Sequence, residues 1–143
     1  MQAIQDDAEP VRLSEQEGVD CDDRSYGCYG GWMHNYWKMS NEIGSSTNAA
    51  YEYEAEDGDC RNQDNKVIAS KMKDFGWVVH TGDDDNINRI ATQLQSGPLS
   101  IAVSAGNQCW RWYEGGILSE KDDCPTQLDH GVALVGLAQS DEG

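Results

Sequence analysis

The chain has 143 residues, 26 acidic side chains against ten basic ones, a formal net charge of −16 and a pI near 4.2. That balance argues against a nucleic-acid partner, because phosphate neutralisation needs clustered Lys and Arg, and it reads as a solvated, self-repelling surface. At 38% hydrophobic content with five Trp and six Tyr the chain can build one domain with a core, while no apolar run approaches the ~20 residues that span a bilayer.

Residues 1–12 read as an open N-terminal segment, and the acidic start Met1-Gln2-Ala3-Ile4-Gln5-Asp6-Asp7 does not read as a signal peptide. Ser14 stands three before Glu17, a capping-box spacing that predicts a short helix, which Gly18 ends or weakens. Residues 20–31 are polar and Gly-rich, hence a loop. Apolar residues at 32, 33, 36, 37, 39 and 43 predict an amphipathic helix from Trp32 to Ile43, stopped by Gly44. Residues 45–66 form an irregular stretch pinned by Tyr51 and Tyr53. Phe75-Gly76-Trp77-Val78-Val79 reads as a strand. Asp83 to Asp85 offer an N-cap and first-turn acids for a helix through Gln95, closed by Gly97 and Pro98. Leu99 to Val103 reads as a buried strand, Trp110 to Leu118 as a turn and strand, and His130 to Leu137 as the last strand. Helix and loop come first and strands follow, which predicts an α+β protein with segregated lobes rather than a βαβ repeat.

Five cysteines in a chain of this length point to an oxidising compartment: Cys21, Cys28, Cys60, Cys109 and Cys124. Two disulfides and one thiol account for them, and spacing alone leaves the pairing open. No Cys-x-x-Cys pair occurs and the only histidines are His34, His80 and His130, so no metal site and no cofactor is expected. Asp57-Gly58-Asp59 lacks the later glycine and glutamate of a calcium loop. Asn-x-Ser/Thr acceptors are absent. His34 and His80 read as surface or packing histidines, and Trp110 and Trp112 as packing.

His130 is different. It opens the run Leu128-Asp129-His130-Gly131-Val132-Ala133-Leu134-Val135-Gly136, the pattern by which a strand presents an imidazole at its edge. Upstream, Leu13-Ser14-Glu15-Gln16-Glu17-Gly18-Val19-Asp20-Cys21 and Tyr26-Gly27-Cys28-Tyr29-Gly30-Gly31 resemble the middle of the papain-like cysteine peptidases, nearest the cathepsin-L-like branch. Tyr51 to Cys60, Ser96 to Val103, Tyr113 to Ile117 and the His130 block follow in that family's order.

The resemblance implies a partial two-lobe fold, with a helix-and-loop lobe in 1–66 and a β-rich lobe in 67–143, together one truncated peptidase domain lacking the long central helix. It implies His130 as the catalytic imidazole, which lowers the pKa of a thiol nucleophile and later protonates the leaving amine. It assigns Gly30 and Gly31 to backbone pairing with an extended peptide substrate, where a Cβ would obstruct close approach. Trp32, Met33, Ala102, Asp129 and Gly131 fall where the family builds subsite walls, with Met33 and Ala102 favouring a bulky aliphatic or aromatic residue two before the cut. By resemblance Cys21 pairs with Cys60 and Cys28 is left free. Cys109 and Cys124 flank the 110–118 segment and could bridge each other.

Two departures limit what the resemblance implies. The family's nucleophile lies in a Gln…Cys-Gly-Ser-Cys-Trp block before the Leu-Ser-Glu-Gln motif, and the twelve residues before Leu13 contain no cysteine. The orienting asparagine belongs to an Asn-Ser-Trp-Gly motif after the histidine, and that motif is absent too. Gly18 stands for a usual aliphatic and Glu52 for a usual proline, both loosening the fold. The expectation is a segment of a cysteine-type endopeptidase that is inactive alone. The alternative is a non-catalytic pseudo-peptidase serving as a binding or structural subunit, its exposed face covered by another protein chain. Cysteine usage and family likeness place either one in an endolysosomal or secreted setting.

Overall fold

The computed structural model describes residues 10–61, 66–79, 84–118 and 124–138. The expected open segment before residue 10, His80 and Asp83 lie outside the described residues. The chain divides into two compact units, Met1–Trp77 and Val78–Gly143.

The first unit holds α1 (Gln16–Cys21), a 3-10 turn (Gly27–Tyr29) and α2 (Met33–Ile43). Ser14 starts α1 as the capping spacing predicts: its hydroxyl accepts from the Glu17 N–H at 3.0 Å and donates to the Tyr51 carbonyl at 2.7 Å. The other half of the box is not made. Glu17 turns away and accepts from the N–H and hydroxyl of Ser46, while its Oε1 lies 2.7 Å from Lys66 Nζ. Gly18 does not end the helix; it is the third residue of α1, and an added Cβ would lie 2.9 Å from the Tyr36 ring. At the far end of α2, Gly44 adopts φ +75, and its N–H closes on the Ser40 carbonyl. A side chain there would be strained by that φ and would press on Ile68.

The loop between α1 and α2 is tied down by Arg24, which donates to both carboxylate oxygens of Glu42 on α2 at 2.7 and 3.0 Å. Gln16 is fully buried. Its amide nitrogen donates to Asp20 and to the Glu56 carbonyl, and its oxygen accepts from the Glu54 and Ala55 N–H groups. The irregular 45–61 stretch is thus held by side chains rather than by a ladder. Residues 67–77 belong to this unit: Ser70 bridges Ser45, Lys66 donates to the Gly44 carbonyl, and Asn41 donates to the Met72 and Lys73 carbonyls.

The second unit holds α3 (Asn86–Leu94), β1 (Leu99–Val103), α4 (Gln108–Arg111) and β2 (His130–Leu134). The strands pair antiparallel, with Val103 opposite His130 and Leu99 opposite Leu134. Asp85 does not cap α3 through its side chain, which instead accepts from the Asn88 amide.

Two expected strands are absent. Residues 75–79 make no ladder, and the backbone just before them is bonded by a side chain, Asn41 on α2, at the Met72 and Lys73 carbonyls. Residues 110–118 are not a strand either. Asn107 accepts from the Cys109 N–H and starts a short helix there, and no strand follows among residues 112–118. Among the described residues no helix is long and apolar enough to cross a membrane.

Candidate active site

β2 begins on His130 because the residue before it is fixed. The Asp129 N–H donates to the Val103 carbonyl at 3.0 Å. Its carboxylate accepts from the Ala105 N–H at 2.7 Å and from the Gly106 N–H at 3.0 Å. A carboxylate is suited to this, since it can accept from two converging backbone donors that would otherwise be left unpaired as β1 ends. Gly106 is required, because a Cβ would come within 2.6 Å of Asp129 Oδ2.

Directly opposed residues of an antiparallel pair share a face, and successive residues alternate faces. His130 therefore shares a face with Val103, Ile101, Val132 and Leu134, whereas Ala102 and Gly131 oppose each other on the other face. His130 itself is exposed. The second unit thus brings Ala102, Asp129, His130 and Gly131 to one end of a two-stranded sheet, with Asp129 already engaged by backbone.

In the first unit Gly30, Gly31, Trp32 and Met33 run consecutively into the N-terminus of α2. Gly30 needs glycine for its backbone, φ +102, with open space where a Cβ would stand. Gly31 needs glycine for packing, because Ser25 fills that space. Trp32 is extended (φ −95, ψ 136) and half exposed, and Met33 is the first helical residue.

The five cysteines are accounted for. Cys21 joins Cys60, and Cys109 joins Cys124. Cys28 is an exposed free thiol whose backbone N–H donates to Asp57 at 2.7 Å. Desolvation, followed by the negative charge of Asp57, holds that thiol above its ordinary range. Such a setting opposes the thiolate that nucleophilic chemistry needs.

Among the described residues no group of His, Cys, Asp or Glu is arranged to hold a metal ion. A cavity of about 540 Å³ in the first unit is lined by Ser46, Ala50, Tyr51, Glu54, Arg61 and Lys66, among others, and contains none of the predicted site residues. Three of its charged side chains are engaged internally: Arg61 donates to Glu54 at 2.6 Å and Lys66 is held by Glu17 and the Gly44 carbonyl. Sequence reasoning missed Trp77, whose ring approaches His34 at 5.4 Å between centroids. It also missed the buried Glu17–Lys66 pair; neither has a short-range sequence signal.

A profile described as papain family cysteine protease matches residues 1–143. The chain is 36% identical over 138 residues to cysteine proteinase EP-B 1 of Hordeum vulgare, covering 93% of this chain and 36% of that protein. It is 36% identical over 132 residues to digestive cysteine proteinase 2 of Homarus americanus, covering 88% of this chain and 39% of that one. The solved structure of the Carica candamarcensis cysteine protease CMS1MS2 superposes with a TM-score of 0.77 at 32% identity, over 89% of this chain and 57% of that chain. The chain therefore spans well under half the length of the curated relatives it matches.

Proposed function

Because the chain belongs to the papain family of cysteine proteases, we propose that it supplies the catalytic histidine and part of the peptide-binding surface of a cysteine-type endopeptidase. The observation that carries this reading is the fixed opening of β2. Asp129 is locked by two backbone N–H groups, and the next residue is an exposed imidazole. In that role His130 takes the proton of a thiol, stabilises the thiolate as imidazolium, and returns the proton to the leaving amine. Gly30 and Gly31 offer backbone to an extended substrate, and Trp32, Met33, Ala102, Asp129 and Gly131 contribute to subsite walls. Asp129 does so with its carboxylate already engaged.

The same reading makes the 143-residue chain inactive by itself. Four of its five cysteines are in disulfides, and desolvation and Asp57 raise the Cys28 thiol above its ordinary range, against the thiolate. Losing the nucleophile from such a site costs several orders of magnitude in rate. The test is an assay of the pure chain with a dipeptidyl fluorogenic substrate and an epoxide inhibitor. It is repeated on the chain joined to a polypeptide carrying the family's Cys-Gly-Ser-Cys-Trp block. Silence from the first and turnover from the second, lost on His130→Ala, are expected. Turnover by the chain alone, or turnover indifferent to His130→Ala, overturns the proposal.

One observation favours the second reading, a non-catalytic binding subunit. Trp112, Ile117 and Val135 in the second unit are each more than 70% exposed, and this reading requires that they join in one patch that a partner chain covers. A monodisperse monomer in solution counts against it. For either reading the two disulfides, and a relative named as digestive, support an endolysosomal or secreted setting.

A further inference from the structure

Three rings meet on the surface of the first unit. Trp32 sits at the N-cap of α2 and His34 in its first turn, with ring centroids 6.3 Å apart and planes inclined by 27°. Trp77 arrives from the end of the unit, 5.4 Å from His34 and tilted by 58°. Trp32 is 53% exposed and Trp77 71%. Single exposed aromatics need no explanation, but a contiguous row of three is a surface awaiting contact.

The row is held in place. Asn41 on α2 grips the Met72 and Lys73 carbonyls, so the backbone four residues before Trp77 is anchored beside the helix. The row also continues directly from Gly30 and Gly31 in the chain.

We propose that Trp32, His34 and Trp77 form one recognition row for an extended peptide bearing aromatic side chains at alternate positions. The inference rests on the reading above that Gly30 to Met33 meet substrate, and it adds His34 and Trp77 as specificity-determining residues. The spacing carries it. Side chains on one face of an extended chain recur about every 7 Å, close to the 6.3 and 5.4 Å steps of the row. Aromatic pairs prefer offset or tilted approach at centroid distances of about 4.5–7 Å, and the 53% and 71% exposure of Trp32 and Trp77 leaves indole surface for such an approach. The local charge does not favour a cationic occupant instead. The two elements bearing the rings carry Lys38, Lys71 and Lys73 against Glu42 and Asp74, and Glu42 is already held by Arg24.

The test measures binding of fluorescein-labelled Ala/Ser heptapeptides to the full chain by fluorescence polarisation. One peptide carries a single Phe, one carries two adjacent Phe, and one carries two Phe separated by one residue. The alternate peptide is expected to bind about threefold to tenfold more tightly than the other two. Trp77→Ala removes that advantage, Trp77→Phe restores most of it, and Trp110→Ala in the second unit leaves it unchanged. Binding that ignores Phe spacing, or an advantage that survives Trp77→Ala, overturns the row alone. If no peptide binds, the peptide-site reading fails, and the row fails with it.

Discussion

In the first unit Ser14, Gln16, Glu17 and Ser45 are each exposed by 1% or less. In the second, no described residue is buried to that degree, and β1 and β2 present half-exposed faces. The first unit is specified by a polar network reaching across 29 to 40 residues of sequence, in which the buried Gln16 and Glu17 oxygens each accept from donors on the 46–55 stretch. The second is specified by strand register and by Asp129. Buried polar groups are costly when left unpaired, so the first unit tolerates few changes inside and the second tolerates many.

The sharpest way to break this contrast is Lys66→Met, which strands Glu17 as an uncompensated buried charge. About 3–5 kcal/mol of first-unit stability should disappear, read by urea unfolding. The double variant Glu17→Gln with Lys66→Met should recover part of it. If Lys66→Met unfolds at the wild-type midpoint, the buried pair does not hold this unit.

The disulfides compare the units directly. Replacing Cys21 and Cys60 by Ser opens a loop of sequence separation 39, with an expected loss of about 4 kcal/mol. Replacing Cys109 and Cys124 opens one of 15, with about 3 kcal/mol expected. Hydrogen exchange resolved by unit should show each loss confined to its own unit. Next in size is Asp129→Ala, which removes the acceptor of the Ala105 and Gly106 N–H groups at an exposed site where water can take its place, at about 0.5–1.5 kcal/mol. The exchange protection of those two amides reports it.

The smallest effect is chemical. Because desolvation and then Asp57 hold the Cys28 thiol up, its thiolate, and hence iodoacetamide labelling, should emerge only at a pH above that of an ordinary cysteine. Asp57→Asn removes the second cause and should move the labelling onset to lower pH. The desolvation remains, so the full shift should not be lost.

What was legible in the sequence was local. Ser14 three before Glu17 and Gly44 after Ile43 mark helix ends through bonds that close within four residues, and both appear in the structure. The strand of residues 99–103 and the one beginning at His130 were legible from apolar pattern. The failures share a cause. Glu17 leaves its local partner for Ser46 and Lys66, and the carbonyls of 72 and 73, just before a run that reads as a strand and joins no ladder, go to Asn41. Asn107 was a missed local signal, a helix-starting amide hidden by the aromatic run after it. At the site, His130 stood out by its motif. Trp77 did not, because its place beside His34 depends on contacts that span more than thirty residues of chain.

The pairing of Val103 with His130 has one more consequence. A strand has two sides, and moving it by a single residue exchanges them. Asp129, held by Ala105 and Gly106, acts as the index pin against that slip. Handedness of presentation, the side of the ribbon from which the imidazole emerges, is therefore set by a carboxylate whose partners are the backbone of its own unit.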